Sequence, residues 1–182
     1  FPRLMRFDLA HPHLSISVAT DTGLADFAGS EADISIRYGT GHNPGFVVEP
    51  LMKEEVFPVC APSLLHGENP VRTVSDLAFH TLLRDQFAPF TRTPPSWEFW
   101  AQENGLTLPP PARTRTFGQS NMVVQAAIEG AGIAIGRAPL VADALRDGRL
   151  VRPFVQTATS RLQYWLVHAE RARESEKIDV FI

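Results

Sequence analysis

The residue whose type and setting could most directly do chemistry is Ser120, in the run Phe117-Gly-Gln-Ser120-Asn-Met122. It places a hydroxyl where an extended stretch turns into a helix, which invites comparison with a nucleophile elbow, yet the second glycine that lets such a turn pack is missing. A serine hydrolase would also need a placed histidine and acid. The six histidines include no pair four residues apart on a helix, and His11 and His13 flank Pro12, so neither zinc coordination nor a general base is indicated. Cys60, the single cysteine, lies between Val59 and Ala61 and reads as a buried core thiol. Gly130-x-Gly132-x-x-x-Gly136 follows a helix and precedes a strand, the reverse of the order a dinucleotide turn requires. Gly39-x-Gly41-x-x-x-Gly45 has no Lys-Ser/Thr after it, so it is a plain turn and not a phosphate loop. No cofactor and no metal is therefore expected, and catalytic residues are not assigned.

What remains is binding. A helix N-terminus presents unpaired N–H groups and about half a positive charge, so Gln119, Ser120 and Asn121 could hold a carboxylate or another polar group, or simply cap the helix. Arg37 and Tyr38 stand where a strand passes into a glycine loop, and carboxyl ends of strands line ligand crevices in open α/β sheets. Asp21 and Asp26 follow the preceding strand in the same way, although each, taken singly, reads as a solvated charge.

The elements that must position these residues follow from periodicity and punctuation. Pro2 opens a helix over 2–10 that carries Leu4, Met5, Phe7 and Leu9, and His11-Pro12 ends it. Leu14–Val18 alternates strictly and predicts a strand; a short helix with Leu24 and Phe27 follows, then a strand at Asp33–Arg37. Val56-Phe-Pro-Val-Cys60 is apolar and extended, but its proline argues against a central strand and for a crossover. Thr73 and Asp76 form a capping box, Thr81–Leu83 is a short strand, and Ser96 caps a helix with Trp97, Trp100 and Ala101 that Gly105 stops. Later come a helix over 121–129 closed by Gly130, a strand at Ile133–Ile135, and a helix from Pro139 to Gly148. Leu150–Phe154 and Leu162–Val167 complete the strands, and the alternation of elements indicates an α/β fold with largely parallel sheets.

The composition of the 182 residues, 44% hydrophobic and 20% charged, is that of a globular protein and excludes disorder, collagen-like repeats and a disulfide scaffold. No run approaches the roughly 18 apolar residues of a membrane span. Seventeen basic and twenty acidic residues give a net charge of −3 without a basic stripe, so the chain by itself is not expected to hold DNA.

In order, His11-Pro12 with its strand, Asp33-Ile-Ser-Ile-Arg37-Tyr38-Gly39, Pro44-Gly45 and Phe57-Pro-Val-Cys-Ala-Pro62-Ser-Leu-Leu65 resemble the effector-binding domain of LysR-type transcriptional regulators. So do Asp76-Leu77, His80-Thr-Leu-Leu83, Phe117-x-x-Ser120, Gln125-Ala-Ala, Gly130-x-Gly132-Ile-Ala-Ile and Gly148-Arg-Leu-Val-x-Pro-Phe154. The chain is most similar to the branch containing the glycine-cleavage activator and the β-lactamase regulator. This resemblance implies a type 2 periplasmic-binding-protein-like α/β fold, two lobes joined by two crossover strands with a ligand cleft between them. Lobe I would be residues 1–58 plus 168–182, truncated at both ends, and lobe II residues 59–167. Hinge positions would be Phe57, Val59, Cys60 and Leu166. Effector contacts would fall on Asp21, Asp26, Arg37, Tyr38, Gln119, Ser120, Asn121 and Tyr164.

The function the resemblance implies is cytoplasmic sensing: a small polar metabolite closes the lobes and alters how a homodimer or homotetramer presents its DNA-binding heads. DNA would be touched only by an N-terminal winged helix-turn-helix not present in this chain, and no membrane is involved. Dimerisation would pair the helix over 2–10 of one protomer with the helix over 121–129 of another. A transporter's solute-binding protein of the same fold is the alternative; an enzyme of that fold would need a reactive cysteine, for which only Cys60 is available.

Overall fold

In the computed structural model, residues 2–19, 32–86, 94–170 and 175–182 are described, and the chain divides into two compact units, Phe1–Leu51 with Tyr164–Ile182, and Met52–Gln163. The sequence placed these divisions later, at 58/59 and 167/168. The first comes earlier because the run after Met52 is stitched into the larger unit's sheet.

That sheet has the order β5-β4-β6-β3-β7, formed by Arg113–Phe117, Thr81–Asp85, Ile133–Arg137, Glu55–Val59 and Ala158–Thr159. β4 pairs parallel with β5 and β6, whereas β3 pairs antiparallel with β6 and β7, so the sheet is mixed and the expectation of largely parallel pairing holds for one side only. Successive residues of its inner strands turn to opposite faces. Val56, Leu82 and Ile133 enter one buried cluster with Trp97, Trp100 and Phe154, while Phe57, Leu83 and Ala134 enter another with Val123, Ala127, Val141 and Leu150. Burial on both faces is why these strands read as continuous apolar runs without alternation.

β3 corrects the expectation that the proline within Val56–Cys60 keeps that run from being a central strand. It is an inner strand, and its proline is tolerated for a local reason. The Cys60 N–H and C=O both face Val151, at 3.0 and 2.8 Å. In an antiparallel ladder residues two apart turn their polar groups the same way, so Pro58 faces the gap between the Val151 bridge and β7, which reaches only Glu55 and Val56. Its missing N–H therefore breaks no ladder bond. Leu150–Phe154 is likewise not a strand; Val151 alone bridges, and Leu150 and Phe154 are simply buried.

The helices behave as their caps predict. Ser96 accepts from the Phe99 N–H at 3.2 Å to start α2 (Trp97–Glu103), and Thr73 with Asp76 closes a capping box on a 3-10 turn over Val74–Phe79. α3 (Ser120–Ile128) ends on Gly130, whose φ of 73° lets the Gly130 and Ala131 N–H groups reach the Ala127 and Ala126 carbonyls at 3.1 and 2.9 Å. α4 is Ala138–Arg146. Gly132 is needed for space: a Cβ there would lie 2.3 Å from the Thr81 carbonyl oxygen, so only glycine lets β6 approach β4. Gly130 and Gly132 of the apparent dinucleotide motif are thereby explained by folding.

In the smaller unit, α1 (Pro2–Ala10) sets Phe7 edge-on to Phe181 at 5.1 Å and against His11 at 4.6 Å. Its sheet has the order β1-β8-β2, from Ile34–Gly39, Gln163–His168 and Val47–Met52. α5 (Glu176–Asp179) buries Ile178 and ties Lys177 to Asp33 at 2.9 Å. Leu14–Val18 shows the expected alternation only as far as Ser17, with Leu14 and Ile16 half-buried and Ser15 and Ser17 exposed; Val18 is exposed too, and the run pairs with no strand among the described residues. Periodicity sets which side is buried; only a partner makes a strand. The helix expected around Leu24 and Phe27 lies outside the described residues.

Candidate functional site

Three parallel strands of the larger unit finish at one level. Asp85 ends β4 opposite Phe117, the last residue of β5, and Arg137 ends β6 on the other side of β4. From Phe117 the chain turns through Gly118 and Gln119 into α3. Polar side chains at carboxyl ends of neighbouring parallel strands are thus delivered to one place by the sheet itself.

Ser120 sits at their meeting point. Its hydroxyl donates to the Asp85 carboxylate at 2.5 Å and accepts from Arg137 Nη1 at 3.2 Å. Arg137 is held behind it by Glu54, Nε to Oε1 2.6 Å, in an ion pair whose side chains are 9% and 0% exposed. Gln119 occupies the N-cap of α3 without a side-chain cap bond, so Ser120 is the first helical residue and not the cap. Asn121 turns its Oδ1 to the Met122 N–H at 3.0 Å. Gln119 and Asn121 are exposed, Ser120 and Asp85 half-buried. Beside Asp85, the described residues leave a cavity of about 280 Å3 whose lining is mixed, apolar at Leu83, Trp97 and Val123 and polar at Arg84, Ser96 and Glu98.

The smaller unit gathers the other expected residues. Arg37 and Tyr38 lie on β1 and Tyr164 on the neighbouring β8, with the tyrosine rings 5.0 Å apart and Arg37 Nη1 donating to Asn43 Oδ1 at 2.6 Å. The loop that carries Asn43 is pinned by Trp165, whose indole N–H donates to the Gly39 carbonyl at 2.9 Å and whose ring lies where a Cβ on Gly41 would stand. Asp21 and Asp26 lie outside the described residues. Of the positions named as hinge, Phe57 and Val59 lie in β3, Cys60 directly after it, and Leu166 in β8. Burial pushes the Cys60 thiol up to about 11, which suits a core residue and not a nucleophile.

The family model for the LysR substrate binding domain matches residues 1–182, the whole chain. The chain belongs to that family. Among curated relatives, the glycine cleavage system transcriptional activator of Escherichia coli (strain K12) is 35% identical over 180 residues, 99% of this chain and 57% of that protein. The HTH-type transcriptional activator AmpR of Pseudomonas aeruginosa is 29% identical over 181 residues, 99% of this chain and 58% of that protein. The domain therefore spans a little over half the length of the curated relatives it matches. The X-ray structure of the AmpR effector domain of Pseudomonas aeruginosa has a TM-score of 0.71 at 28% identity, covering 99% of this chain and 83% of that chain. The AmpR effector binding domain from Citrobacter freundii has a TM-score of 0.72 at 26% identity, covering 99% and 86%. The fold is accordingly that of LysR effector-binding domains, type 2 periplasmic-binding-protein-like. Among the described residues no helix is long and apolar enough to cross a membrane.

The residues that sequence reasoning missed are Asp85, Arg137 and Glu54. The rule applied to Arg37, a polar residue at the carboxyl end of a strand, would have found the first two had it been applied to Leu82–Asp85 and Ile133–Arg137. Glu54 carried no such signal, because its partner is 83 residues away.

Proposed function

We propose that this domain senses a small polar effector for a LysR-type transcriptional regulator, by binding alone and without a chemical step. Each unit carries one part of the effector-contacting set: Gln119, Ser120 and Asn121 in the larger, Arg37, Tyr38 and Tyr164 in the smaller, with Asp21 and Asp26 as further contacts. Phe57, Val59, Cys60 and Leu166 take up the conformational change, and the effector biases it only through its differential affinity for the two states. A few kcal/mol suffices, within reach of one or two charge-assisted contacts. The signal passes to DNA through a winged helix-turn-helix outside these 182 residues, in a cytoplasmic homodimer or homotetramer. Exposed Met5 and Leu9 on α1 and Met122 on α3 support self-association.

The observation that carries this reading is Ser120 at the convergence of β4, β5 and β6, where a buried ion pair ends on a half-buried hydroxyl. The test is a reporter assay with the full-length protein. Ser120→Ala and Tyr164→Phe should blunt the effector response while DNA binding persists; a wild-type dose response in both would overturn the site.

A further inference from the structure

A serine hydroxyl has one hydrogen and two lone pairs. At Ser120 the hydrogen is given to Asp85 and one lone pair is taken by Arg137, which leaves a ligand a single position, an acceptor. Asp85 beside it is an acceptor too, and among the described residues no cation forms an ion pair with it. Arg84, its neighbour on β4, is held by Glu98 at 2.6 Å. Among the described residues, the one charged group that accepts from Ser120 is the Asp85 carboxylate, and the one that donates to it is the Arg137 guanidinium, which Glu54 holds from behind.

We infer that this end of the site receives a hydrogen-bond donor, the protonated amino group of an amino-acid-like effector, against Asp85 and the remaining lone pair of Ser120. The inference rests on the proposed role of Ser120 and deepens it, replacing the carboxylate that a bare helix N-terminus would suggest. A carboxylate arriving here faces Asp85 and can take the Ser120 hydrogen only by stripping it from Asp85, which leaves a half-buried carboxylate without its donor. An ammonium donates to both oxygens and breaks neither existing bond. The cavity beside Asp85 has apolar walls in Leu83, Trp97, Val123 and Ile135, which suit the carbon skeleton of such a ligand, and polar ones in Arg84, Ser96 and Glu98. Glu54 and Arg137 act one step back: the buried pair fixes the guanidinium, and the guanidinium fixes which lone pair of Ser120 stays open.

The test titrates the intact protein with the proteinogenic amino acids, each beside the 2-hydroxy acid in which a hydroxyl replaces the amino group, by calorimetry and by thermal shift. At least one amino acid should bind in the millimolar range or better, and its hydroxy acid at least about tenfold more weakly. Asp85→Asn should weaken the amine at least about tenfold and narrow the gap between the pair, while Asp85→Glu restores part of the preference. Unliganded melting curves of both variants report whether the larger unit is intact. Hydroxy acids binding as well as amino acids, with binding still lost in Ser120→Ala, would overturn the amine and leave the site. Binding indifferent to Ser120→Ala and Asp85→Asn alike would overturn both. An absence of binding by every amino acid would overturn the inference, and the reporter assay would then judge the site alone.

Discussion

The Glu54–Arg137 pair lets stability be separated from sensing. Its oxygen and nitrogen are 2.6 Å apart, and with side-chain exposures of 0% and 9% there is little water to replace a lost partner. Breaking a buried ion pair by removing one member typically costs about 3–5 kcal/mol, whereas replacing both by apolar residues of similar volume is often neutral or stabilising. Glu54→Leu alone and Arg137→Met alone should each fall by that amount. For a chain of 182 residues, at about 2–4 °C per kcal/mol, the melting temperature should drop by roughly 6–20 °C. The double variant should melt within about 3 °C of wild type or above it, giving a coupling energy of several kcal/mol in the double-mutant cycle. Differential scanning calorimetry on the four proteins measures this. The double variant should nonetheless respond poorly to effector, because Arg137 no longer holds the Ser120 oxygen. Singles that lose less than about 1 kcal/mol, with no coupling, would refute the account of the pair; a stable double variant with full effector response would refute its link to the site.

Gly132→Ala must part β4 from β6, since its Cβ would stand 2.3 Å from the Thr81 carbonyl, and should cost more than about 3 kcal/mol in urea unfolding or leave the protein insoluble. Gly148→Ala, at φ 70° with open space around it, should cost only about 1–2 kcal/mol. Cys60, with its thiol pushed up to about 11, is thiolate in roughly one molecule in ten thousand at pH 7, so a disulfide reagent should label it at the rate of unfolding and rapidly in denaturant; immediate labelling of native protein would contradict its burial. The Asp76 carboxyl is held below its ordinary range by the Thr73 and then the Arg72 backbone N–H, and that of Glu98 by the Arg84 side chain. A carboxyl with a depressed folded value stabilises above its unfolded value, and that stability is lost as pH falls through the folded one. The urea midpoint should therefore be flat down to about pH 5 and fall below about pH 4, less steeply in Asp76→Asn and Glu98→Gln.

How much was legible in the sequence depended on whether the deciding interaction was local. Capping at Ser96 and Thr73 and the stops at Gly105, Gly130 and Gly148 could be read because each is settled within about six residues. β3 could not, because whether Pro58 breaks a strand depends on which side of it a neighbour lies, and that neighbour is 93 or more residues away at Val151 and Ala158. Leu14–Val18 failed in the opposite sense: its alternation held for Leu14 to Ser17, but no strand among the described residues pairs with it. β2 (Val47–Met52) and β5 were missed because Pro50 interrupts the one and Arg113 and Arg115 make the other look like a solvated loop. The site divides along the same line. Arg37, Tyr38 and Ser120 were visible from punctuation, a glycine loop or a helix start, but the hydrogen-bond polarity of Ser120 is decided by Asp85, 35 residues before it, and by Arg137, 17 residues after. A hydroxyl in sequence is both donor and acceptor. The fold removes one of those capacities, and by doing so it turns a permissive polar position into a selective one.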